Sequence, residues 1–354
     1  MQTGDIQRSI SLSTKDRINT GIETREVSDL TPGLSSVQMT HEEIPVIDLG
    51  PMWSGDQAGK ALLGEQISTA CQEIGFFYVK NHGVPDSVIA DAQRVSGEFF
   101  KQSEETKTLI EVSASSSNRG YIPLFGEKNS SVAKGDLKET FDLSVEVDQD
   151  DPLCQLKGGL YGPNQWPEHP EDFQAVMMAY FEEMTGLSRT LYDAFAQSLD
   201  LSPEFFSQYL NTPLDICRLL QYPPQKVVLD EDQIGTGAHS DFDCFTILWQ
   251  DTNGGLQALR RDGIWIDALP IPDTFLVNVG DMLQRWTNGK YVSTVHRVIN
   301  RSGNRRNSMV FFAAPDYETN IDCIPSCLEK GEAPKHPPVT SGEYIVSRYE
   351  EVLI

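Results

Sequence analysis

The second half of the chain consists of short runs of β-branched and aromatic residues separated by turn signals. Between residues 216 and 314 seven such runs follow one another: ICRLLQY, HSDFDCFTILWQ, LQALR, IWIDAL, TFLVNVGD, YVSTVHRVI and RNSMVFFAA. Each run is short, and turn residues such as Pro, Gly and Asn follow most of them. This length and spacing predict an all-β barrel or a double-sheet jelly roll.

The first half of the chain alternates between helical and extended patterns. Apolar residues at helical spacing predict a helix that ends at Gly75, a second that starts at Pro85, and a long one from about 171 to 199. A capping box at Thr340 and Glu343 predicts a last helix. The expected fold class is therefore mainly β with flanking helices, a distorted jelly roll (double-stranded β-helix, cupin-like).

The same patterns divide the chain into four regions. The first lacks Phe, Tyr and Trp and is expected to be a mobile arm. The second contains helices and strands that pack on the roll, the third is the catalytic roll with its long supporting helix, and the fourth ends in a helix. Their bounds are 1–43, 44–165, 166–320 and 321–354.

The charge balance limits the possible partners. Asp plus Glu number 52 against 28 Lys plus Arg, a formal net charge of -24, which argues against binding to nucleic acid or to anionic membranes. Six scattered cysteines and an N-terminus without an apolar signal segment predict a reduced, cytoplasmic protein. We expect a small-molecule substrate, and a monomer or weak dimer.

Histidines and one aspartate in the β-rich half suggest a metal site. His239 and Asp241 form an H-x-D pair, and His296 lies 57 residues after His239, far enough for intervening strands to return it to the same place. Two imidazoles and one carboxylate on one face suit iron(II). The alternative for the H-x-D pair is an exposed strand end. His82 is expected to be a loop or packing histidine.

Two further strands carry inward polar residues. Strand alternation places Arg306, Ser308 and Phe312 on one face, and an inward arginine is costly unless an anion meets it. A guanidinium with a nearby hydroxyl suits a carboxylate. Alternation likewise places Arg218 and Tyr222 on one face. The alternatives are a buried Arg–Asp pair or an outward face.

With these motifs the chain resembles the isopenicillin-N-synthase-like branch of the iron(II)/2-oxoglutarate dioxygenases over about residues 44–320. The motifs are IPVIDLG and ACQEIGFFYVKNHGV in the first half, and RLLQYPP, GAHSDFDCFTILWQD, VNVGDMLQRWTNGKYVSTVHRV and RRNSMVFF in the second. The resemblance implies an oxygenase that uses iron(II), 2-oxoglutarate and O2, with ascorbate as a possible stimulant. Such an enzyme oxidises an unactivated C–H bond of a small specialised metabolite, most often by hydroxylation and otherwise by desaturation or ring formation, and releases succinate and CO2.

The resemblance also implies roles for single residues. His239, Asp241 and His296 would bind iron, and Arg306 and Ser308 would bind the distal carboxylate of 2-oxoglutarate with help from Tyr222. The substrate pocket would include Phe312, Phe141 and Arg218.

The identity of the substrate and two rival functions remain open at this point. Arg218 beside aromatic walls predicts a planar or partly apolar molecule with a carboxylate, phenolate or carbonyl acceptor. The alternative is that Arg218 pairs with an acid such as Asp142 or Asp243. One rival function is an iron oxidase that does not use 2-oxoglutarate, like isopenicillin N synthase or ACC oxidase. The other is a non-catalytic jelly-roll binding protein.

Overall fold

A computed structural model describes residues 17–19, 24–26, 36–38, 43–127, 135–225 and 234–352 of the 354-residue chain. Seven helices occur in this part: α1 Gly50–Ser54, α2 Gln57–Glu73, α3 Asp86–Phe100, α4 Glu104–Lys107, α5 Phe173–Ser198, α6 Asp281–Trp286 and α7 Ser341–Val352. None of them is long and apolar enough to cross a bilayer.

The described residues contain seventeen strands, most of them short. They are β1 Arg17–Asn19, β2 Thr24–Glu26, β3 Val37–Gln38, β4 Val46–Asp48, β5 Phe76–Lys80, β6 Gly120–Ile122, β7 Glu139–Ser144, β8 Ile216–Tyr222, β9 Thr236–His239, β10 Phe245–Gln250, β11 Leu256–Leu259, β12 Trp265–Asp267, β13 Phe275–Val279, β14 His296–Val298, β15 Arg306–Ala313, β16 Asn320–Ile321 and β17 Val339–Thr340.

Two sheets form the body of the protein. The larger has eight strands in the order β4-β5-β13-β10-β15-β8-β7-β6, and the smaller has five in the order β3-β12-β11-β14-β9. Most neighbours are antiparallel, and apolar side chains of both sheets share one cluster. This arrangement confirms the predicted mainly β fold with the two sheets of a jelly roll.

Helices cover the other face of the eight-stranded sheet. Helix α5 packs against α2 and α3, and its Tyr192 and Phe195 rings contact Phe245 of β10 with centroids 4.7 and 5.0 Å apart. The apolar stripe predicted for this helix is buried throughout. The strands of this sheet therefore have two different buried faces, one against the helices and one toward the smaller sheet.

Helix α2 ends where the sequence predicts. Gly75 has a positive φ of 70°, and a Cβ atom there would lie 2.1 Å from the carbonyl oxygen of Val292. Both facts require glycine, because other residues rarely adopt this φ and none could fit so close to the backbone. The turn brings β5 directly after α2, so that Phe76–Lys80 pairs with β13.

The sequence patterns missed or misplaced several elements. The sequence patterns did not single out strand β7, which lies in the second region, or helix α6, which follows β13. Residues 36–38 of the predicted arm are ordered against the smaller sheet: β3 pairs in parallel with β12, and Ser36 Oγ donates to Asp267 Oδ1 over 2.8 Å. Most of the remaining arm lies outside the described residues, and its mobility stays a prediction.

Candidate active site

The two strand histidines are cross-strand neighbours. His239 is the last residue of β9 and His296 the first of β14, and their Cα atoms are partners in the register of the five-stranded sheet. Side chains of directly opposed residues project from the same face of a sheet. The two imidazole rings accordingly lie 4.3 Å apart, centroid to centroid.

Asp241 lies in the loop between β9 and β10, and not on a strand as we predicted. Its Oδ1 atom is 3.6 Å from His239 Nε2 and 3.5 Å from His296 Nε2. The other oxygen, Oδ2, accepts hydrogen bonds from Thr246 Oγ1 and from Asn278 Nδ2, the latter over 2.7 Å. Because Thr246 and Asn278 occupy one oxygen, the other stays directed at the imidazoles.

Backbone carbonyls fix the orientation of both rings. His239 Nδ1 lies 2.8 Å from the carbonyl oxygen of Gly237, and His296 Nδ1 lies 3.1 Å from that of Thr294. A carbonyl accepts, so each Nδ1 carries the proton and each Nε2 keeps its lone pair. Two Nε2 atoms and one carboxylate oxygen within 4.8 Å of one another match the two-histidine, one-carboxylate donor set of iron(II) oxygenases.

The electrostatics of Asp241 and His239 favour metal binding, whereas the Asp241 carboxylate raises the pKa of His296 against the effect of burial. Burial by itself would raise the pKa of Asp241, but the two imidazoles and the Thr246 hydroxyl together hold it below its usual range. Burial, and then the charge that His296 can carry, lowers the pKa of His239 to about 4. An ionised carboxylate and a neutral imidazole are the forms that bind a metal ion.

A buried arginine lines the same cavity. Arg306 is 1% exposed, and its guanidinium packs over the Tyr222 ring at 4.8 Å. Its hydrogen bonds go to neutral acceptors: the Gly254 carbonyl oxygen at 2.6 Å, Ser308 Oγ at 3.1 Å and Gln250 Oε1 at 3.2 Å. In the part of the chain that the structure describes, no carboxylate lies within 4.0 Å of this cation, which suits it to an anionic ligand.

Both groups line one cavity. The strand alternation predicted for β15 is correct, because Arg306, Ser308, Val310 and Phe312 all face this cavity. Tyr222 and Arg218 of β8 line it as well. The cavity therefore brings the metal-binding group and the buried arginine into one site.

Comparison with known proteins agrees with this geometry. The 2OG-Fe(II) oxygenase superfamily matches residues 209–315, and the family described as non-haem dioxygenase in morphine synthesis, N-terminal, matches residues 44–169. A 2-oxoglutarate-Fe(II) type oxidoreductase of Emericella nidulans is 34% identical over 315 residues, which cover 87% of this chain and 89% of the relative. The chain belongs to the 2-oxoglutarate/iron(II) oxygenase superfamily.

A solved structure and a second sequence relative agree with this assignment. A full-length Neurospora crassa protein in complex with alpha-KG and thymine is 30% identical to this oxygenase with a TM-score of 0.78, covering 87% of this chain and 96% of the Neurospora chain. A homoarginine-6-hydroxylase of Glycine max is 37% identical over 294 residues, covering 79% of this chain and 86% of the relative. The protein is thus a 2-oxoglutarate-dependent oxidoreductase with iron(II) as its metal. This excludes the binding-protein rival and disfavours the oxidase rival.

The charge of Arg218 is already balanced in this oxygenase. Its Nε and Nη2 atoms donate to the two oxygens of Asp142 over 2.7 and 2.6 Å, and its Nη1 lies 3.0 Å from Glu127 Oε1. Arg218 lines the cavity as predicted, but the alternative of a pair with Asp142 is what the structure shows. An arginine paired with two carboxylates does not need an anionic ligand.

The placement of Phe141 in the substrate pocket is wrong. Phe141 is fully buried on the helix side of the eight-stranded sheet, with its ring 5.2 Å from those of Phe99 and Phe173. Its neighbour Asp142 points the other way, toward Arg218. Because successive side chains of β7 alternate between faces, Phe141 and Asp142 cannot both face the cavity.

Sequence reasoning missed other residues of the site. Lys138, Phe242, Asp243 and Tyr349 line the cavity, and Thr246 and Asn278 support Asp241. Asp243 and Thr246 stand in the same HSDFDCFT segment as the predicted metal ligands, two and five residues after Asp241. Burial raises the pKa of Asp243 to about 7, and the carboxylate of Asp241 adds to the rise. His82, by contrast, is the packing histidine predicted, with its ring 4.6 Å from that of Phe275.

Proposed function

We propose that this oxygenase binds iron(II) through His239 Nε2, Asp241 Oδ1 and His296 Nε2. The observation that carries the proposal is the convergence of these three atoms within 4.8 Å inside a cavity. The hydrogen bonds to both Nδ1 atoms and to Asp241 Oδ2 support it, because they leave the three converging atoms without protons.

Arg306, Ser308 and Tyr222 bind 2-oxoglutarate in this proposal. The Arg306 guanidinium and the Ser308 hydroxyl hold the distal carboxylate, and the Tyr222 ring packs under the guanidinium at 4.8 Å. The bond from Arg306 Nε to the Gly254 carbonyl oxygen fixes the plane of the guanidinium. The bound cosubstrate is thereby oriented with its keto-acid end toward the three metal-binding atoms.

Iron, when bound, supplies the redox chemistry that couples decarboxylation of 2-oxoglutarate to succinate and CO2 with oxidation of a substrate C–H bond. The chain itself provides three ligands on one side, which leaves three coordination positions for small molecules. Its apolar cavity residues, such as Val310 and Phe312, exclude water from the reacting carbon. We expect hydroxylation as the usual outcome.

The substrate is a small molecule in this proposal. Relatives named for homoarginine hydroxylation and a solved complex with thymine are in line with this class. Membership of the isopenicillin-N-synthase-like branch, a cytoplasmic location and a monomer or weak dimer remain part of the same proposal.

Replacement of a proposed ligand tests the assignment. Asp241→Ala should abolish succinate formation and sharply reduce the iron content after anaerobic loading, because only two neutral ligands remain. Asp150→Ala removes an exposed aspartate elsewhere and should change neither quantity. Cobalt, nickel or zinc should occupy the wild-type site and inhibit it. Full iron-dependent activity in Asp241→Ala would refute the ligand assignment.

A further inference from the structure

One carboxylate in the cavity wall has no side-chain hydrogen-bond donor among the described residues. Asp243 lines the cavity and is 9% exposed. Apart from its own backbone N–H, no described residue donates a hydrogen bond to its carboxylate, and no Lys, Arg or His nitrogen among those residues lies within 4.0 Å of it. Burying a carboxylate without a hydrogen-bond donor costs free energy of folding. A ligand that brings hydrogen-bond donors to this carboxylate would recover part of that cost.

The two cations that line the cavity near Asp243 are already paired with other acids. Asp142 binds Arg218 through both oxygens. Glu127 lies 3.0 Å from Arg218 Nη1 and 3.1 Å from Lys138 Nζ, and Asp136 lies 2.6 Å from Lys138 Nζ. Each of these lining cations therefore has two described carboxylates as partners, and neither needs an anionic substrate.

We propose that Asp243 binds an N–H donor group of the substrate, such as a protonated amine, amidine or guanidine. This inference rests on the proposed function and names the substrate class for the same cavity. It replaces the expectation of a carboxylate or phenolate on Arg218 with a donor group on Asp243. The ring of Phe312, which already packs near the Arg218 guanidinium at 5.9 Å, offers a flat wall for a planar cation.

The position of Asp243 also links it to the metal site. Asp243 follows the proposed iron ligand Asp241 by two residues, so their Cα atoms lie at most about 7 Å apart, and both residues line the same cavity. One small molecule in this cavity can therefore present an N–H group to Asp243 and a carbon to the metal.

A series of isosteric probes tests the preference. Benzamidine, benzamide and benzoate have nearly the same outline but are positive, neutral and negative. We would measure their binding by calorimetry to the anaerobic enzyme loaded with iron(II) and 2-oxoglutarate. Benzamidine should bind about tenfold or more tighter than benzoate, because it alone brings charged donors to a carboxylate. Stronger binding of benzoate, or no binding of benzamidine, would overturn the proposal.

Variants assign the preference to Asp243. Asp243→Asn should weaken benzamidine binding about tenfold or more while benzamide changes little, and Asp243→Glu should retain part of the preference. Asp150→Asn, which removes the same charge from an exposed turn, should leave all three affinities unchanged. Unchanged benzamidine affinity in Asp243→Asn would refute the role of this residue.

The visible absorption band of the iron–2-oxoglutarate complex separates the two proposals. The band should form in the wild type and in Asp243→Asn, which shows that the variant still folds and holds both cofactors. A wild-type protein without the band would contradict the proposed function alone, because calorimetry still measures whether benzamidine binds to Asp243. An intact band with no preference for the cation would contradict the Asp243 proposal alone.

Discussion

Replacement of Arg306 by leucine should separate cosubstrate binding from stability. The guanidinium is 1% exposed, and its donors go to neutral acceptors and not to an acid. Its bonds to the distal carboxylate of 2-oxoglutarate would form a buried ion pair, and loss of one partner of such a pair costs about 3–5 kcal/mol. At about 1.4 kcal/mol per tenfold, the KM for 2-oxoglutarate should rise by about two to three and a half orders of magnitude.

The Ser308 hydroxyl gives a smaller reference effect. Ser308 accepts from Arg306 Nη1 over 3.1 Å and can donate its own proton to the carboxylate. Loss of one such neutral donor costs about 1 kcal/mol, so Ser308→Ala should raise the same KM only about fivefold to tenfold. If Arg306→Leu raises the KM far more than Ser308→Ala does, the charge of Arg306 accounts for most of the binding of 2-oxoglutarate.

Two assays measure the effect. Succinate release at varied 2-oxoglutarate gives the KM directly. Thermal unfolding with nickel in place of iron gives binding without turnover, because a ligand at 100 times its Kd stabilises the folded state by about 2.7 kcal/mol. The wild type should show this rise in melting temperature with 2-oxoglutarate, and Arg306→Leu should not. Arg301→Leu, which changes an exposed arginine, is the control. A KM within about threefold of the wild type in Arg306→Leu would refute the assignment of the anion site.

Two further predictions concern stability. Asp215 is buried, and burial raises its pKa from 3.8 to about 8. The protonated carboxyl group therefore contributes fully to the free energy of unfolding below pH 3.8. This contribution is lost as the pH rises through 8, by up to about 1.4 kcal/mol per pH unit. Asp215→Asn, compared with wild type by urea unfolding, should gain relative stability from pH 5 to pH 9, and an equal difference at both pH values would contradict the pKa. Phe141→Ala should lower the free energy of unfolding by about 3–5 kcal/mol and leave the KM for 2-oxoglutarate unchanged, because the ring lies in the helix-side core. A variant of unchanged stability with altered substrate selectivity would show instead that Phe141 contacts the substrate.

The strand pattern allowed much of the fold and of the candidate site to be predicted. Period-two alternation on β15 correctly placed Arg306, Ser308 and Phe312 on one face, because an uninterrupted strand obeys that period without help from the rest of the fold. The same reasoning failed for Asp241. The chain leaves β9 at His239, and the carboxylate is oriented by Asn278, which is distant in sequence.

The face of β7 and the pairing of Arg218 could not be predicted for a related reason. Alternation states which residues share a face, but not which of two buried faces a strand of a helix-covered sheet directs to the cavity. For β7, the cavity side is the one with Asp142, and the helix side is the one with Phe141. That choice depends on the contacts of α5 and β8, which are formed by tertiary packing.

The support of Asp241 joins the two sheets at one point. Both histidines belong to the five-stranded sheet, whereas Thr246 and Asn278, which hold the carboxylate, belong to β10 and β13 of the eight-stranded sheet. A chain whose sheets have not yet docked would offer two histidines without an oriented carboxylate, and so only a weak hold on iron. Tight iron binding, and with it the oxygen chemistry of this site, would then be confined to chains whose two sheets have docked.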